Sequence, residues 1–514
     1  MSAVADGAFD ADVLVVGLGP VGAALAALLV RQGVRVIAVD RDTRVYPMPR
    51  AVHFDHEIMR LFQQLGVAEA VGRQARPVPA YEFRNGEGRL LMRLPPAPAT
   101  PSGWASGYMF HQPSLETALR EMLAASPLAD VRLGVTLTGL AQDAEGVSAD
   151  LAGPDGAATV RARWLIGCDG ASSAVREAIG GRLSDYQFDE PWLVVDVHAE
   201  PGARLPEVNL QVCDPRRPTT CVLGGPGRHR WEFMLLPGET PEAMLDEAVV
   251  QALIAPWDCG PVTLERMAVY RFHGLVADRW RDGRVLLAGD SAHQTPPFAG
   301  QGMCSGLRDA ANLAWKLAAV LRGAAGPALL DSYQAEREPN VRGYIELAIG
   351  MGRMVCTLDP TAAAERDAQM LARLDAGAPP LPPLRPAPMA AGCVMAGAPG
   401  AGELFPQPVS DGLRLDDVLE ALAPNAAWLI SREAQIPAPT GVLALRLDGE
   451  ALALRLDGEA LAPFRAELST WLDAHEAEAV LVRPDRHVFG TGAPSDLVLA
   501  WARMLAAPEP APQL

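Results

Sequence analysis

Residues 12–31 read DVLVVGLGPVGAALAALLVR. Asp12 to Val16 is a short, β-branched apolar run, the composition of a parallel strand buried on both faces. Gly17, Gly19 and Gly22 follow at the spacing G-x-G-x-x-G, with Pro20 and Val21 between them, and Ala23 to Leu29 is helix-forming throughout. Gly17 allows a tight turn, Gly19 lets the backbone approach a pyrophosphate, and Gly22 lets helix and strand pack closely. The helix N-terminus then offers free N–H groups to the anion. A second apolar run, Val34 to Val39, ends at Asp40-Arg41. An acid there accepts hydrogen bonds from ribose hydroxyls and repels a 2′-phosphate, so the expected nucleotide is FAD or NAD rather than NADP. This motif does not decide between those two.

Two later stretches do. Arg163 to Gly167 (RWLIG) reads as a buried strand, followed by Cys168, Asp169 and Gly170 and a helix from about Ser172 to Ile179. Asp169 and Gly170 thus sit at the carboxyl edge of a sheet, where ligands of open α/β sheets bind. Arg284 to Ala288 (RVLLA) is another such strand, leading into Gly289-Asp290 and then Pro296-Pro297-Phe298-Ala299-Gly300-Gln301-Gly302-Met303. A long amphipathic helix follows through Leu307, Ala311, Leu313, Leu317 and Leu321. Asp290 can accept a hydrogen bond from a ribityl chain, and the Gly300–Gly302 backbone can approach a flat ring edge. The helix behind it stabilises the negative charge that a reduced flavin carries at N1 and the C2 carbonyl.

With these three motifs in this order, the chain resembles the group A flavoprotein aromatic hydroxylases. Pro49-Arg50-Ala51-Val52, Phe110-His111-Gln112-Pro113, Trp192-Leu193-Val194-Val195-Asp196, Cys213-Asp214-Pro215-Arg216-Arg217-Pro218 and Phe233 to Thr240 look like the 3-(3-hydroxyphenyl)propionate hydroxylase branch. The resemblance covers residues 12 to about 350 and resumes weakly at Arg483 to Gly490. It implies a Rossmann-like, GR2-type FAD-binding domain, an inserted mainly antiparallel substrate sheet and a C-terminal thioredoxin-like domain. It also implies an FAD-dependent NAD(P)H monooxygenase that hydroxylates a phenol ortho to its OH through a flavin C4a-hydroperoxide. By the same resemblance Arg50 and Gln112 contact the FAD phosphates and ribityl chain, Asp290 the ribityl, and Asp169 the turn beside the pyrophosphate.

A backbone carbonyl at Pro296 or Pro297 is a candidate acceptor for the phenol proton, since proline keeps a loop rigid without donating an N–H. His53 is a candidate catalytic side chain, and His293 a brace for the Asp290 turn. Arg216, Arg217 and Arg271 are candidate forks for a substrate carboxylate. The chain departs from the branch at Asp55-His56-Glu57, where relatives tend to show Asp-Asp-Glu. A tailoring hydroxylase of a larger aromatic or polyketide metabolite shares every motif, and a non-catalytic flavin-binding protein is a further alternative. A flavin halogenase would need a tunnel lysine and Trp-x-Trp, whereas the sole lysine, Lys316, falls in the helix after the flavin motifs.

At 514 residues the chain is too long for one core. No apolar run reaches bilayer length and no signal-peptide layout opens the chain, so a cytoplasmic protein is expected. A net charge of −18 argues against nucleic acid as a partner. The expected partners are a small aromatic and O₂, with the chain a monomer or homodimer. The seven cysteines form no C-x-x-C pair, which predicts reduced thiols and neither a metal site nor a redox dithiol.

The expected domains are 1–75, 108–182 and 283–375 for FAD, with 76–107 and 183–282 for substrate. A linker over 377–400 and a terminal unit over 401–514 complete the chain. In that unit ALRLDGEAL at 444–452 recurs at 453–461, a local duplication expected at the surface.

Overall fold

A computed structural model of the protein describes residues 9–378, 388–432, 439–447 and 460–506. Its first sheet is built on the Ala11–Val16 strand, which pairs in parallel with Val36–Asp40 on one side and Gly156–Gly167 on the other. Ala129–Leu133 and Val285–Leu287 extend the parallel sheet at its two ends. The Pro20–Arg31 helix buries Ala23, Leu25, Ala26 and Leu29 against this sheet, as its glycine-led start and alanine-rich face require. The Gly302–Leu321 helix packs beside it, buried almost throughout.

The second sheet has eight strands. Its order is His293–Gln294, Val262–Ala277, Leu183–Ala199, Arg228–Met234, Thr219–Leu223, Asn209–Cys213, Tyr81–Asn85 and Leu90–Leu94. All neighbours are antiparallel except Asn209–Cys213 and Tyr81–Asn85. Period-two alternation divides its central strands. Leu193, Val195, Val197, Trp231 and Phe233 form one apolar core with Val250 and Ile254. Val194, Arg230 and Glu232, one residue out of phase, face a cavity on the other side.

The strand at 183–199 extends well beyond the Trp192–Asp196 motif, and it pairs along its length with an equally long strand at 262–277. Within the expected substrate unit, residues 241–257 carry the Pro241–Met244 and Glu247–Ile254 helices, each capped by a Thr or Asp side chain.

The C-terminal unit has a four-stranded sheet in the order Val442–Arg446, Ala427–Ser431, Ala479–Val482, Val488–Gly492. The first pair is parallel and the others antiparallel, with helices at Leu415–Leu422, Arg465–Ala474 and Pro494–Leu505, the arrangement of a thioredoxin-like unit. Trp501 stacks on Trp315 of the Gly302–Leu321 helix, with ring centroids 5.8 Å apart, so this unit shares a core with the flavin motifs. The centre of the 444–461 duplication lies outside the described residues.

Candidate active site

The carboxyl ends of the parallel strands open into a cavity of about 1390 Å³ that continues beneath the second sheet. That exceeds the roughly 300–1,000 Å³ of an ordinary small-molecule site and leaves room for a dinucleotide and a further ring. Gly17, Gly19, Pro20, Val21, Asp40, Arg41, Arg50, Gln112, Asp169, Gly170 and Asp290 line it, as do Pro297 and Gly300 to Met303.

The glycines divide by role. A Cβ at Gly22 would lie 1.9 Å from the Gly17 carbonyl oxygen, and one at Gly17 would lie 2.4 Å from that of Cys168. Gly19, by contrast, faces open space, as close approach by a pyrophosphate requires. Gly22 and Gly289 do not line the cavity; they shape the turns beneath it. These features fit FAD.

Several cofactor candidates prove to be held by the protein itself. The Asp40 carboxylate accepts from the backbone N–H of Leu18 (2.7 Å) and of Asp42 (2.8 Å). Asp169 accepts from Ser173 Oγ (2.5 Å) and the Val175 N–H (3.1 Å), pinning the short helix that starts at Ala174. The Gln112 Oε1 accepts from the N–H groups of Arg50 (3.1 Å) and Ala51 (2.6 Å), so this side chain sets where Arg50 stands. Burial raises the Asp290 carboxyl, opposed by His293 and Arg50.

Beneath the Gly289 turn, Asp309 is fully buried and accepts from the Gly289 N–H (3.1 Å) and Arg337 Nε (2.9 Å). His293 Nε2 is 2.6 Å from the same carboxylate, so it braces the turn through Asp309 rather than by a direct bond to that backbone. Arg308 does the equivalent for the flavin loop. Its guanidinium donates to Asp55 (2.5 Å), Glu57 (2.6 Å) and the Gln301 side chain (3.0 Å).

His53 Nδ1 lies 3.2 Å from the Gly300 carbonyl oxygen. Burial lowers its pKa, and a carbonyl can only accept, so the neutral ring carries its proton on Nδ1. Its Nε2 is pressed against Gly107, where a Cβ would come within 2.7 Å. This contact braces the Gly300 turn, and His53 also lines the cavity.

Pro296 is buried outside the cavity lining, which removes it as a contact for a reacting ring. Pro297 lines the cavity, and its carbonyl accepts the Gly300 N–H at 2.8 Å.

The proposed carboxylate forks need correction. Arg216 is spent on Asp214 (2.7 Å) and Arg217 on Glu239 (2.6 Å), and neither lines the cavity. Arg271 reaches the cavity wall but is 61% exposed and paired with Asp189. Arg216 and Arg217 are conspicuous in sequence because they sit in a family motif, whereas the cavity is reached by cross-strand register.

That register places Asp196 opposite both Arg230 and Arg266. Arg230 forms a bidentate pair with Asp196 (2.7 and 3.1 Å) and donates to the carbonyls of Pro49 (2.6 Å) and Arg50 (2.8 Å). Arg266 also donates to Pro49, while its Nη2 is buried without a hydrogen-bond partner among the described residues. One row along, Glu232, Thr220 and Gln211 lie side by side, all nearly buried and all lining the cavity. Burial raises the Glu232 pKa, with Arg230 pulling the other way. Alternating charges inside apolar strands (Val194-Val195-Asp196, Arg230-Trp231-Glu232) are the sequence signal that could have found this face.

A family model described as an FAD binding domain matches residues 10–348. The chain belongs to the FAD-binding domain family. The flavoprotein is 37% identical over 521 residues to a probable NADH-specific resorcinol 4-hydroxylase of Rhodococcus jostii, covering 98% of this chain and 97% of the relative. It is 34% identical over 522 residues to 3-(3-hydroxy-phenyl)propionate/3-hydroxycinnamic acid hydroxylase 2 of Burkholderia vietnamiensis, covering 94% of each. Among solved structures, aklavinone-11 hydroxylase in complex with FAD and aklavinone superposes with a TM-score of 0.77 at 26% identity, covering 97% of this chain and 99% of that one. The flavoprotein is an FAD-dependent monooxygenase with the fold of the group A hydroxylases. None of the described helices is long and apolar enough to cross a membrane.

Proposed function

We propose that the flavoprotein hydroxylates a small phenol at the carbon beside its OH, using NADH and O₂, and that the preferred ring carries a second hydroxyl, as resorcinol does. The observation that carries this is the row Gln211, Thr220 and Glu232, buried on the cavity face of the sheet. A buried carboxyl hydrogen-bonds a substrate hydroxyl whether it is protonated or ionised, and offers a substrate carboxylate no counter-charge. The exposed forks that would favour a carboxylate are paired elsewhere. The full-length similarity to the Rhodococcus relative supports the same reading.

FAD, when bound, supplies the electron transfer from NADH to O₂ and the activated oxygen atom. The chain's own residues bind, orient and dry the site. Asp290 and Arg50 line the cavity where they would hold the ribityl-phosphate chain of FAD, and the N-terminus of the Gly302–Leu321 helix, also at the cavity, would favour the negative charge of the reduced ring. Phe272 and Phe298 line the cavity and meet edge to face at 5.9 Å, giving the phenol an apolar wall that excludes water. The Pro297 carbonyl keeps a second lone pair with which to accept a hydrogen bond from the phenol OH and orient it. The described cysteines are all free, which supports a reducing compartment such as the cytoplasm.

A second reading, a phenol bearing a carboxylate, is favoured by the unpartnered Arg266 Nη2 in the cavity wall. The test is NADH oxidation by the FAD-loaded protein with resorcinol or with 3-(3-hydroxyphenyl)propionate, and the product mass. Stimulation by resorcinol with one oxygen gained supports the first reading. The same result with the propionate alone replaces it with the second, and no stimulation by either refutes both.

A further inference from the structure

The segment Leu94-Pro95-Pro96-Ala97-Pro98-Ala99-Thr100-Pro101 leaves the outermost strand of the substrate sheet, Leu90–Leu94, and lines the cavity along its whole length. It leads to the Gly107–Phe110 strand, which pairs with His53–Asp55 beside the flavin loop. Proline donates no N–H, so this crossing forms no sheet ladder of its own, and Pro95 to Ala99 are exposed. Its position is set by what grips its two ends.

The far grip comes from the C-terminal unit, some three hundred residues later. The Gln407 backbone N–H donates to the Pro101 carbonyl (2.6 Å), and its buried side chain donates to the Ser102 carbonyl (2.6 Å). Arg414 Nη1 donates to the Gly103 carbonyl (2.8 Å), and its guanidinium lies 3.6 Å from the centre of the Trp104 ring. Gly103 has φ +64°, and a Cβ there would meet Val409 at 2.7 Å and the Gln407 carbonyl at 2.9 Å, so the two segments touch backbone to backbone. The flavin side meets the same knot, with His56 Nδ1 3.0 Å from Ser102 Oγ and Trp104 Nε1 donating to Gln63 (2.9 Å).

We propose that Gln407 and Arg414 are positioning residues of the oxygenation: through Pro101–Trp104 they hold the 95–101 crossing as a wall of the substrate cavity. The C-terminal unit thereby contributes to catalysis without a dithiol. The proposal rests on the cavity being where the phenol is oxygenated. With the wall in place, NADH, H⁺, O₂ and the phenol give NAD⁺, water and the hydroxylated phenol. With the wall loose, water enters, and NADH, H⁺ and O₂ give NAD⁺ and hydrogen peroxide, the phenol unchanged.

The experiment uses the full-length, FAD-loaded protein with Arg414→Ala, Gln407→Ala and a crossing variant, Pro96→Gly/Pro98→Gly. It measures hydrogen exchange at the Gly103 and Gln407 amides, which are bonded to the Thr100 and Pro101 carbonyls, together with FAD content, KM for the phenol, and peroxide formed per NADH. The expected result is several-fold faster exchange at those amides in Arg414→Ala with FAD retained. All three variants should show a several-fold rise in the peroxide fraction and in KM. Native exchange at Gly103 and Gln407 in Arg414→Ala overturns the proposal. So does native coupling in Pro96→Gly/Pro98→Gly, which decides the matter if the Arg414 variant fails to fold. If neither test phenol stimulates NADH use, the substrate reading has failed, while the exchange result still judges the positioning role.

Discussion

Replacing Glu336 with glutamine removes the counter-charge from two buried cations at once. In the native chain its carboxylate, 0% exposed, lies 2.8 Å from Lys316 Nζ and 2.8 Å from Arg483 Nη2. It also accepts from Asn312 (2.6 Å) and from the Cys393 N–H (2.6 Å). Arg483 keeps Asp485 at 2.5 Å, but Lys316, itself 0% exposed, has no second carboxylate within ion-pair distance among the described residues. Burial alone pushes the Glu336 pKa up, yet Arg483 and Lys316 outweigh it and bring the group from 4.5 down to about 2. By linkage that depression is worth about 3 kcal/mol at neutral pH. Breaking a buried pair by deleting one partner costs about 3–5 kcal/mol, in the same range.

Urea unfolding followed by tryptophan fluorescence at pH 7 should therefore show Glu336→Gln destabilised by about 3–5 kcal/mol. The native contribution is fully present above pH 4.5 and is lost as pH falls towards 2, so native and variant stabilities converge in acid. Adding Lys316→Met to Glu336→Gln removes the stranded ammonium and should restore at least about 1.5 kcal/mol. A cost below about 1 kcal/mol, or no recovery in the double variant, would refute the reasoning.

Gly22→Ala drives a methyl into the Gly17 carbonyl, and purified protein should lack the yellow FAD absorbance altogether. Asp290→Ala removes the cavity carboxylate and should weaken FAD by about 10- to 150-fold in titration, the loss of one charged hydrogen bond of about 1.5–3 kcal/mol. Glu232→Gln should raise stability at pH 7–8 by about 1 kcal/mol while raising KM for resorcinol. The sign follows from its raised pKa: the protonated form is favoured in the fold, so that stabilisation is lost as pH rises through the folded value. If Glu232→Gln is destabilising and KM is unchanged, the role assigned to that carboxyl is wrong.

The flavin motifs were legible because each is contiguous: strand, glycine turn and helix lie within about thirty residues. Asp40 and Asp290 could be read the same way, at the ends of apolar strands. The substrate face was not. Arg230 and Arg266 meet Asp196 only through pairing across strands 34 and 70 residues away, and nothing local encodes that register. Arg216 and Arg217 stood out by sitting in a motif, yet each found a nearer carboxylate. Asp309 and Arg337, which anchor the Gly289 turn, sit on two helices and read in sequence as ordinary polar faces. Gln407 and Arg414 were invisible for a plainer reason: their partners lie more than three hundred residues away.

The buried Lys316 also fixes how the molecule meets reagents. It is the sole lysine of 514 residues, and its side chain is sealed at 0% exposure. Every cationic side chain on the native surface other than histidine is therefore a guanidinium, inert to the acylating and carbonyl chemistry used to label, cross-link or immobilise proteins through lysine. Such reagents will leave the folded body unmarked at its side chains. Modification at 316 becomes a clock for how often the junction between the flavin helix and the C-terminal unit comes apart.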